Sequence, residues 1–163
     1  MKLGIRVKGL ELKGTEVTAT AAELNVMDGI AATTAELNRG SLKKATGALA
    51  AVNTGGGLFS WANPEGKAII VEHVVLVTTH VTTAACSADV GVTATNATTL
   101  SDNMIDGVDI NAAIGTFTSD ANAGTNGKQG RRCESGKWVT GSVVSGGASA
   151  GIVGTYEIYY RVL

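Results

Sequence analysis

The sequence predicts a mainly β protein, in which an antiparallel β-sandwich or jelly-roll-like domain is preceded by an extended N-terminal arm with short helices. Three observations support this fold class. After residue 57, segments rich in β-branched residues alternate with turn signals. The last segment, 151–163, alternates regularly, so the chain ends in a strand. The first forty residues instead contain a near-repeat with helix-capping residues. A chain of 163 residues has room for one domain and an extension.

The β-rich part contains five predicted strands. They cover residues 67–81, 88–95, 110–118, 138–144 and 151–163. The first of these is apolar on both faces, as expected of a central strand of a sandwich. Asn63-Pro64-Glu65-Gly66 before it is a strong turn signal. Residues 119–130 lack large apolar side chains and predict a long exposed loop.

The first residues of the chain have strand periodicity. Leu3, Ile5 and Val7 fall on one face, and the basic residues at positions 2, 6 and 8 fall on the other. Gly4 and Gly9 weaken an isolated strand. We therefore expect this segment to pair with another chain or sheet.

A near-repeat follows, with a period of 13 residues. Residues 20–25 (TAAELN) return as residues 33–38 (TTAELN). Each copy has the Thr-x-x-Glu spacing of a capping box. The predicted helix caps are Thr20, Glu23, Thr33 and Glu36. A glycine soon after each copy, at positions 29 and 40, can stop the helix. Helices this short are unstable alone, so the repeat must lie on another surface.

These patterns divide the chain into three parts. Residues 1–52 form the arm, including a third short helix within 41–52, where Leu42, Ala45 and Leu49 share one helical face. Residues 53–57 (NTGGG) form a glycine-rich linker. Residues 58–163 form the β-sandwich domain.

The string TATAAELNVMDGI at residues 18–30 resembles the TAAELNxLDG-type repeats of tailed-bacteriophage virion proteins. These include tail and head fibres and capsid decoration proteins. The similarity covers residues 16–40, about a sixth of the chain. The resemblance implies a capsid decoration (cement) protein that binds the outer capsid surface as a homotrimer and stabilises the head.

On this interpretation the partners are the major capsid protein and further copies of the chain. The protein would be located in the virion, on the capsid surface, after assembly in the host cytoplasm. The arm would lie across neighbouring capsid subunits and bury its apolar side chains there. The predicted capsid-docking residues are Leu3, Ile5, Val7, Leu24, Met27 and Leu37.

Two other functions fit parts of the sequence. A tail or head fibre, or receptor-binding protein, would use the repeat as the remnant of a shaft and the 119–130 loop for recognition. A glycan hydrolase would need a pair of placed carboxylates, and no pair stands out.

The sequence predicts that the chain is not an enzyme, with no catalytic, cofactor-binding or metal-binding residues. His73 and His80, seven residues apart in one strand, fall on opposite faces and cannot readily share a metal ion or a proton. Cys86 and Cys133 are predicted to be small buried hydrophobic residues, with a disulfide as the alternative. The segment 102–107 (DNMIDG) lacks EF-hand spacing and predicts a turn held by Asp and Asn side chains, with calcium at a subunit interface as the alternative.

Charge and aromatic content bear on the partners. The net charge of −1 predicts no binding to nucleic acid, and no apolar stretch is long enough for a membrane span. Charged residues make up 17% of the chain against roughly 25% in typical soluble domains, which favours burial of surface against partners. The aromatic residues fit interface anchors and a sandwich core equally well. They are Trp61, Trp138, Tyr156, Tyr159 and Tyr160.

Overall fold

A computed structural model of the chain describes only part of its residues. The described ranges are 10–12, 15–17, 40–50, 57–80, 85–94, 100–111, 114–145 and 152–163. For the first two ranges only the backbone is described. The chain divides into two compact units, Met1–Ala35 and Glu36–Leu163.

The regular structure of the described residues consists of β-strands, with no helix. This confirms the predicted mainly β class. The strands are β1 (Leu10–Leu12), β2 (Thr15–Val17), β3 (Lys43–Ala48), β4 (Phe59–Ala62), β5 (Ile69–His80), β6 (Ser87–Thr93), β7 (Ile105–Asp109), β8 (Gly115–Thr118), β9 (Arg131–Cys133), β10 (Trp138–Ser145) and β11 (Val153–Val162).

The second unit contains two antiparallel sheets. One has four strands in the order β4-β10-β6-β7. The other has five: β3 pairs with β11, β11 with β5, and both β8 and β9 pair along the far edge of β5. In the first unit, β1 and β2 form an antiparallel pair in which Leu10 lies opposite Val17.

Side chains from both sheets meet in one hydrophobic core. Two aromatic pairs connect the sheets: Phe59 of β4 stacks on Tyr156 of β11 at 4.3 Å between ring centroids, and Trp61 lies 5.1 Å from Tyr160. Because such pairs add to the free energy of burial, they help to hold the sheets together. The largest fully buried side chains are Leu58, Ile69, Val71, Val74, Leu76, Val90, Met104, Ile105, Ile110, Val139, Ile152 and Ile158.

The central strand β5 changes its inward face at a bulge. Tyr159 pairs with His73, but the next residue of β11, Tyr160, pairs with Val71. The inward, buried positions therefore shift from 69 and 71 to 74, 76 and 78. Val75 and Val77 are half-buried on the other face. This agrees with the predicted apolar character on both faces.

The predicted strands correspond unequally to the observed ones. The segments 67–81, 88–95, 138–144 and 151–163 match β5, β6, β10 and β11 within a few residues. The predicted strand 110–118 is confirmed at 115–118, which form β8, and wrong at 110, 111 and 114, which lie outside any strand. A strand that was not predicted, β7, lies just before it and pairs with β6.

The predicted third helix at 41–52 is wrong. Residues 43–48 form β3, which pairs with β11 from Lys43 opposite Tyr160 to Ala48 opposite Thr155. Local helix propensity is weak and tertiary pairing overrides it. Residues 36–52, assigned to the arm from the sequence, thus fall in the unit that contains both sheets.

Candidate interaction surface

The residues predicted from the sequence to dock or to cap helices cannot be placed. All ten of them, from Leu3 to Leu37, lie outside the described residues, and so does the predicted strand at 2–8.

The strand β3 presents an open edge. Leu49 N donates to Gly154 O of β11 at 2.9 Å. Odd-numbered residues of β3 are therefore the ones whose backbone groups bond to β11. Hydrogen-bonded and non-hydrogen-bonded residues alternate in an antiparallel pair. The backbone N–H and C=O groups of Lys44, Thr46 and Ala48 consequently point away from β11. We call these groups the open edge.

Ala50, the next even-numbered residue, also directs its backbone N–H away from β11. Ala50 N donates to Leu58 O at 2.7 Å, on the side away from β11. At Lys44, Thr46 and Ala48 no backbone partner is present among the described residues, and all three residues are exposed. An unpaired edge of this kind is a template for pairing with a further strand.

Small residues line the inner side of β3. Gly47 leaves space that the Tyr156 ring fills, since a Cβ at Gly47 would lie 2.6 Å from ring atoms. Ala45 is half-buried against the core, and Trp61 is partly exposed beside the same wall of the sandwich. Among the described residues, Ala45, Gly47 and the Trp61 ring therefore lie on the side of the sandwich next to the open edge.

A polar cluster closes the same side at its other end. Lys43 Nζ donates to both carboxylate oxygens of Glu65, at 2.8 and 2.9 Å, and the Tyr160 hydroxyl donates to Glu65 Oε1 at 2.9 Å. Asn63 positions Glu65, because its Oδ1 accepts from Glu65 N while its Nδ2 donates to backbone carbonyls. Gly66, with φ of 63°, completes the predicted turn.

The cluster changes the pKa of Glu65 and of Tyr160. Hydrogen bonding from Lys43, with a smaller contribution from Tyr160, lowers the pKa of Glu65 below its usual value despite partial burial. Burial, together with the hydrogen bond to Glu65, raises the pKa of Tyr160 to about 12. At neutral pH, Glu65 is therefore ionised and Tyr160 is a neutral donor.

Glu65→Gln is expected to destabilise the β unit by about 1 kcal/mol at pH 7, since it weakens hydrogen bonds to a charged group that is partly screened by solvent. A lowered carboxyl pKa stabilises the fold above the unfolded-state pKa and is lost as the pH falls through the folded-state value. The difference between variant and wild type should thus shrink below pH 4.5. Urea denaturation between pH 3 and 7 measures it.

Glu134→Gln provides a matched control, because Glu134 pairs with Arg132 in an exposed position. We expect no measurable change in the free energy of unfolding for this variant. An equal loss in both variants at every pH would contradict the assigned role of Glu65.

The outer face of the five-stranded sheet combines apolar and paired charged residues. Half-buried Ile70, Val75 and Val77 form its central row on β5. The charges beside this row are paired across strands, with Nζ of Lys44 2.6 Å from Glu157 and the guanidinium of Arg161 2.6 Å from Glu72. The hydroxyl of Tyr159 also donates to Glu157, at 2.6 Å.

One end of this sheet exposes aliphatic side chains. Leu42 is 59% exposed and Leu163 is 46% exposed. A shallow cleft of about 360 Å³ lies at the same end of the sheet. Its lining residues are Gly40, Ile70, Glu72, Arg161, Val162 and Leu163.

The predicted 119–130 loop is held by hydrogen bonds against the edge strand β7. Asp106 Oδ2 accepts from the backbone N–H groups of Thr125 and Asn126, at 3.1 and 3.0 Å. Lys128 N donates to Asn103 O at 3.0 Å. The predicted turn at 102–107 is wrong for residues 105–107, which belong to β7, and the Asp106 side chain there holds the 119–130 loop. A loop packed on an edge protects it from further pairing, so β7 differs from β3 in this respect.

One serine, one histidine and one aspartate converge at the start of that loop, which the sequence did not reveal. His73 Nδ1 lies 3.2 Å from Asp120 Oδ1 and 3.4 Å from Ser119 Oγ. Both contacts involve the same ring nitrogen, whereas a proton relay uses the two nitrogens separately. Ser119 Oγ is buried and also accepts from Val74 N. This geometry fits a connection between β5 and the loop.

Both cysteines are buried and free, as predicted for small buried hydrophobic residues. Burial raises the pKa of Cys133 to about 11, so its thiolate is scarce at neutral pH. Within the described ranges, no group of three or more His, Cys, Asp or Glu side chains is placed to hold a metal ion. None of the described segments forms a helix that is long and apolar enough to cross a membrane.

The aromatic residues divide between core and surface. Tyr156 and Tyr160 belong to the core, and Trp61 packs against it. Tyr159 lies on the outer face, where the ammonium of Lys44 is 5.7 Å from its ring centroid. The core interpretation therefore holds for Tyr156, Tyr160 and Trp61, and the interface interpretation stays a prediction.

The second unit defines a protein domain of the two-sheet antiparallel β class. Its fold is similar to that of a chain in the acid-stable capsid structure of Helicobacter pylori bacteriophage KHP30. The TM-score is 0.50 at 17% sequence identity, over 76% of this chain and 90% of that one. A chain in the capsid of Ralstonia phage GP4 has a TM-score of 0.49 at 17% identity, over 83% of this chain and 93% of that one.

No protein-family model matches the sequence, and no curated protein matches it. At 17% identity, the similarity to the KHP30 chain establishes a shared fold.

Proposed function

We propose that the protein is a bacteriophage capsid decoration protein, without enzymatic activity, that binds the outer capsid surface as a homotrimer and stabilises the head. The observation that carries the proposal is the fold shared with a chain of a phage capsid over nine-tenths of that chain's length. The repeat at residues 18–30 supports it independently, because it resembles virion-protein repeats.

The surface of the β unit is consistent with a structural role. On the outer face of its five-stranded sheet, charges are paired within the chain, as in Lys44–Glu157 and Glu72–Arg161. Apolar side chains remain at the surface, among them Leu42 and Leu163. Such a surface favours contact with other proteins over electrostatic attraction to nucleic acid.

The mechanism is mechanical. The two short helices of the repeat lie on the capsid and bury Leu24, Met27 and Leu37, while the β unit projects outward. Joining three arms in one trimer raises the effective concentration of the second and third arm once the first is bound. Each buried leucine contributes about 1.5–3 kcal/mol, so several arms together resist release.

The proposal is tested with full chains carrying both Leu24→Asp and Leu37→Asp. The loss of two leucines per arm should weaken binding to empty capsids of the encoding phage by about 100-fold or more. Co-sedimentation with the capsids measures this binding. The matched control carries Asn25→Asp and Asn38→Asp, which adds the same charges at the neighbouring positions of each repeat copy. We expect the control to bind like wild type.

Unchanged capsid binding by the leucine variant would overturn the arm mechanism. Failure of the wild-type chain to bind capsids, together with binding to host surface glycans, would identify a fibre or receptor-binding protein instead.

A further inference from the structure

We propose that the open edge of β3 is a β-augmentation site, and that it binds residues 2–8 of a neighbouring copy of the same chain. The site consists of the outward backbone groups of Lys44, Thr46 and Ala48. This inference deepens the proposed function, since it rests on a self-assembled particle protein and names the contact between copies.

The edge has few of the features that protect edge strands. It has no proline, its outward residues include Thr46 and Ala48, and its pairing with β11 shows no bulge. The two lysines of β3 are each held by an ion pair, Lys43 to Glu65 and Lys44 to Glu157. Their charges are thus engaged within the chain and do not by themselves block an incoming strand.

Residues 2–8 match the open edge in length and in periodicity. β3 has six residues and spans about 20 Å, and the seven residues of 2–8 span about 23 Å when extended. In the proposed pairing residues 2–8 run parallel to β3. Alternate side chains of the added strand then face the inner wall of the sandwich, and the backbone groups of those same residues point toward β3. Leu3, Ile5 and Val7 have this alternation, and the wall offers small Ala45, Gly47 and a partly exposed Trp61.

The contact is compatible with the cyclic trimer of the proposed function. Pairing of an arm with an edge is heterologous, and such contacts form a ring when the rotation between copies closes and a filament when it does not, whereas pairing of two β3 edges would give a two-fold dimer. The three apolar residues of the first segment, assigned to the capsid from the sequence, are here assigned to the neighbouring copy. Leu24, Met27 and Leu37 remain for the capsid.

Two full-chain variants separate the donor from the acceptor. When residues 2–8 run parallel to β3, Ile5 N–H points toward the edge, so Ile5→Pro removes a donor of that pairing. Thr46→Pro removes an outward donor from the edge without breaking a β3–β11 hydrogen bond. Ile5→Val and Thr46→Ala are the matched controls. By analytical ultracentrifugation, we expect trimers for wild type and both controls, and monomers for each proline variant.

Mixing the two proline variants gives the decisive measurement. Ile5→Pro retains the edge and Thr46→Pro retains the arm, so an equimolar mixture should form one-to-one dimers and no trimer. A mixture that stays monomeric would overturn pairing between copies. An Ile5→Pro variant that still assembles would overturn the arm as occupant, and a dimer that depends on Thr46 alone would indicate β3–β3 pairing.

If Thr46→Pro fails to fold, backbone amide hydrogen exchange in wild type and Ile5→Pro tests the pairing. The amides of Lys44, Thr46 and Ala48 should be protected in wild type and exchange at least about tenfold faster in Ile5→Pro. Rapid exchange of these amides in wild type would overturn the inference. None of these measurements involves capsids, so their failure is distinct from failure of the proposed function.

Discussion

Replacing Gly154 with alanine is expected to destabilise the β unit by about 3 kcal/mol, at the upper end of the usual cost of overpacking. A Cβ at Gly154 would lie 2.0 Å from Val77 O and 3.1 Å from Leu49 Cδ1. The first contact is with the backbone of the central strand β5, which cannot move without disturbing its pairing with β11. Urea denaturation followed by tryptophan fluorescence measures the loss.

Gly115→Ala is the matched control. Gly115 and Gly154 both pair with Thr78, on opposite sides of β5, so the two substitutions lie in the same row of the sheet. At Gly115 the nearest atom to an added Cβ is Phe117 Cζ, at 4.0 Å. We expect its free energy of unfolding to stay within about 0.5 kcal/mol of wild type. Equal effects at both glycines would contradict the close packing of β11 on β5.

Val74→Ala is expected to cost about 2.5 kcal/mol, because Val74 is fully buried and its loss leaves a cavity. Val75→Ala deletes the same atoms from the next residue, which lies half-buried on the outer face. We expect this second variant to cost less than about 1 kcal/mol. The ratio of the two losses, from denaturation curves at one pH, reports which residues face the core.

This pair of variants also tests the bulge in β5. Without the bulge, the alternation that buries Ile69 and Val71 would place Val75 inward and Val74 outward. A larger loss for Val75→Ala than for Val74→Ala would therefore contradict the observed register.

The strands that could be predicted are those whose own side chains carry the signal. The aliphatic run of β5 and the alternation of β11 are local patterns, so their positions follow from the sequence within a few residues. β3 has no such signal: KKATGA is compatible with a helix, and only pairing with β11 makes it a strand. The missed strand β7 is short, contains Asp and Gly, and likewise depends on its neighbour β6.

The candidate surfaces were less predictable than the strands. The closeness of Ser119, His73 and Asp120 joins residues about 46 positions apart, and no spacing rule indicates it. The same holds for Lys43 and Glu65, which meet because β3 and the Asn63–Gly66 turn close one side of the sandwich. Such contacts depend on sheet order, which is a property of the whole chain.

The sequence by itself determined the mainly β class, the central aliphatic strand, the terminal strand and the exposed loop, because burial and turn formation depend on each segment's own composition. Only the tertiary structure decided that residues 43–48 join the five-stranded sheet, that β5 shifts its inward face at His73, and that Lys44, Thr46 and Ala48 present an open edge. Strand pairing and register arise from long-range contacts whose free energy exceeds local preference.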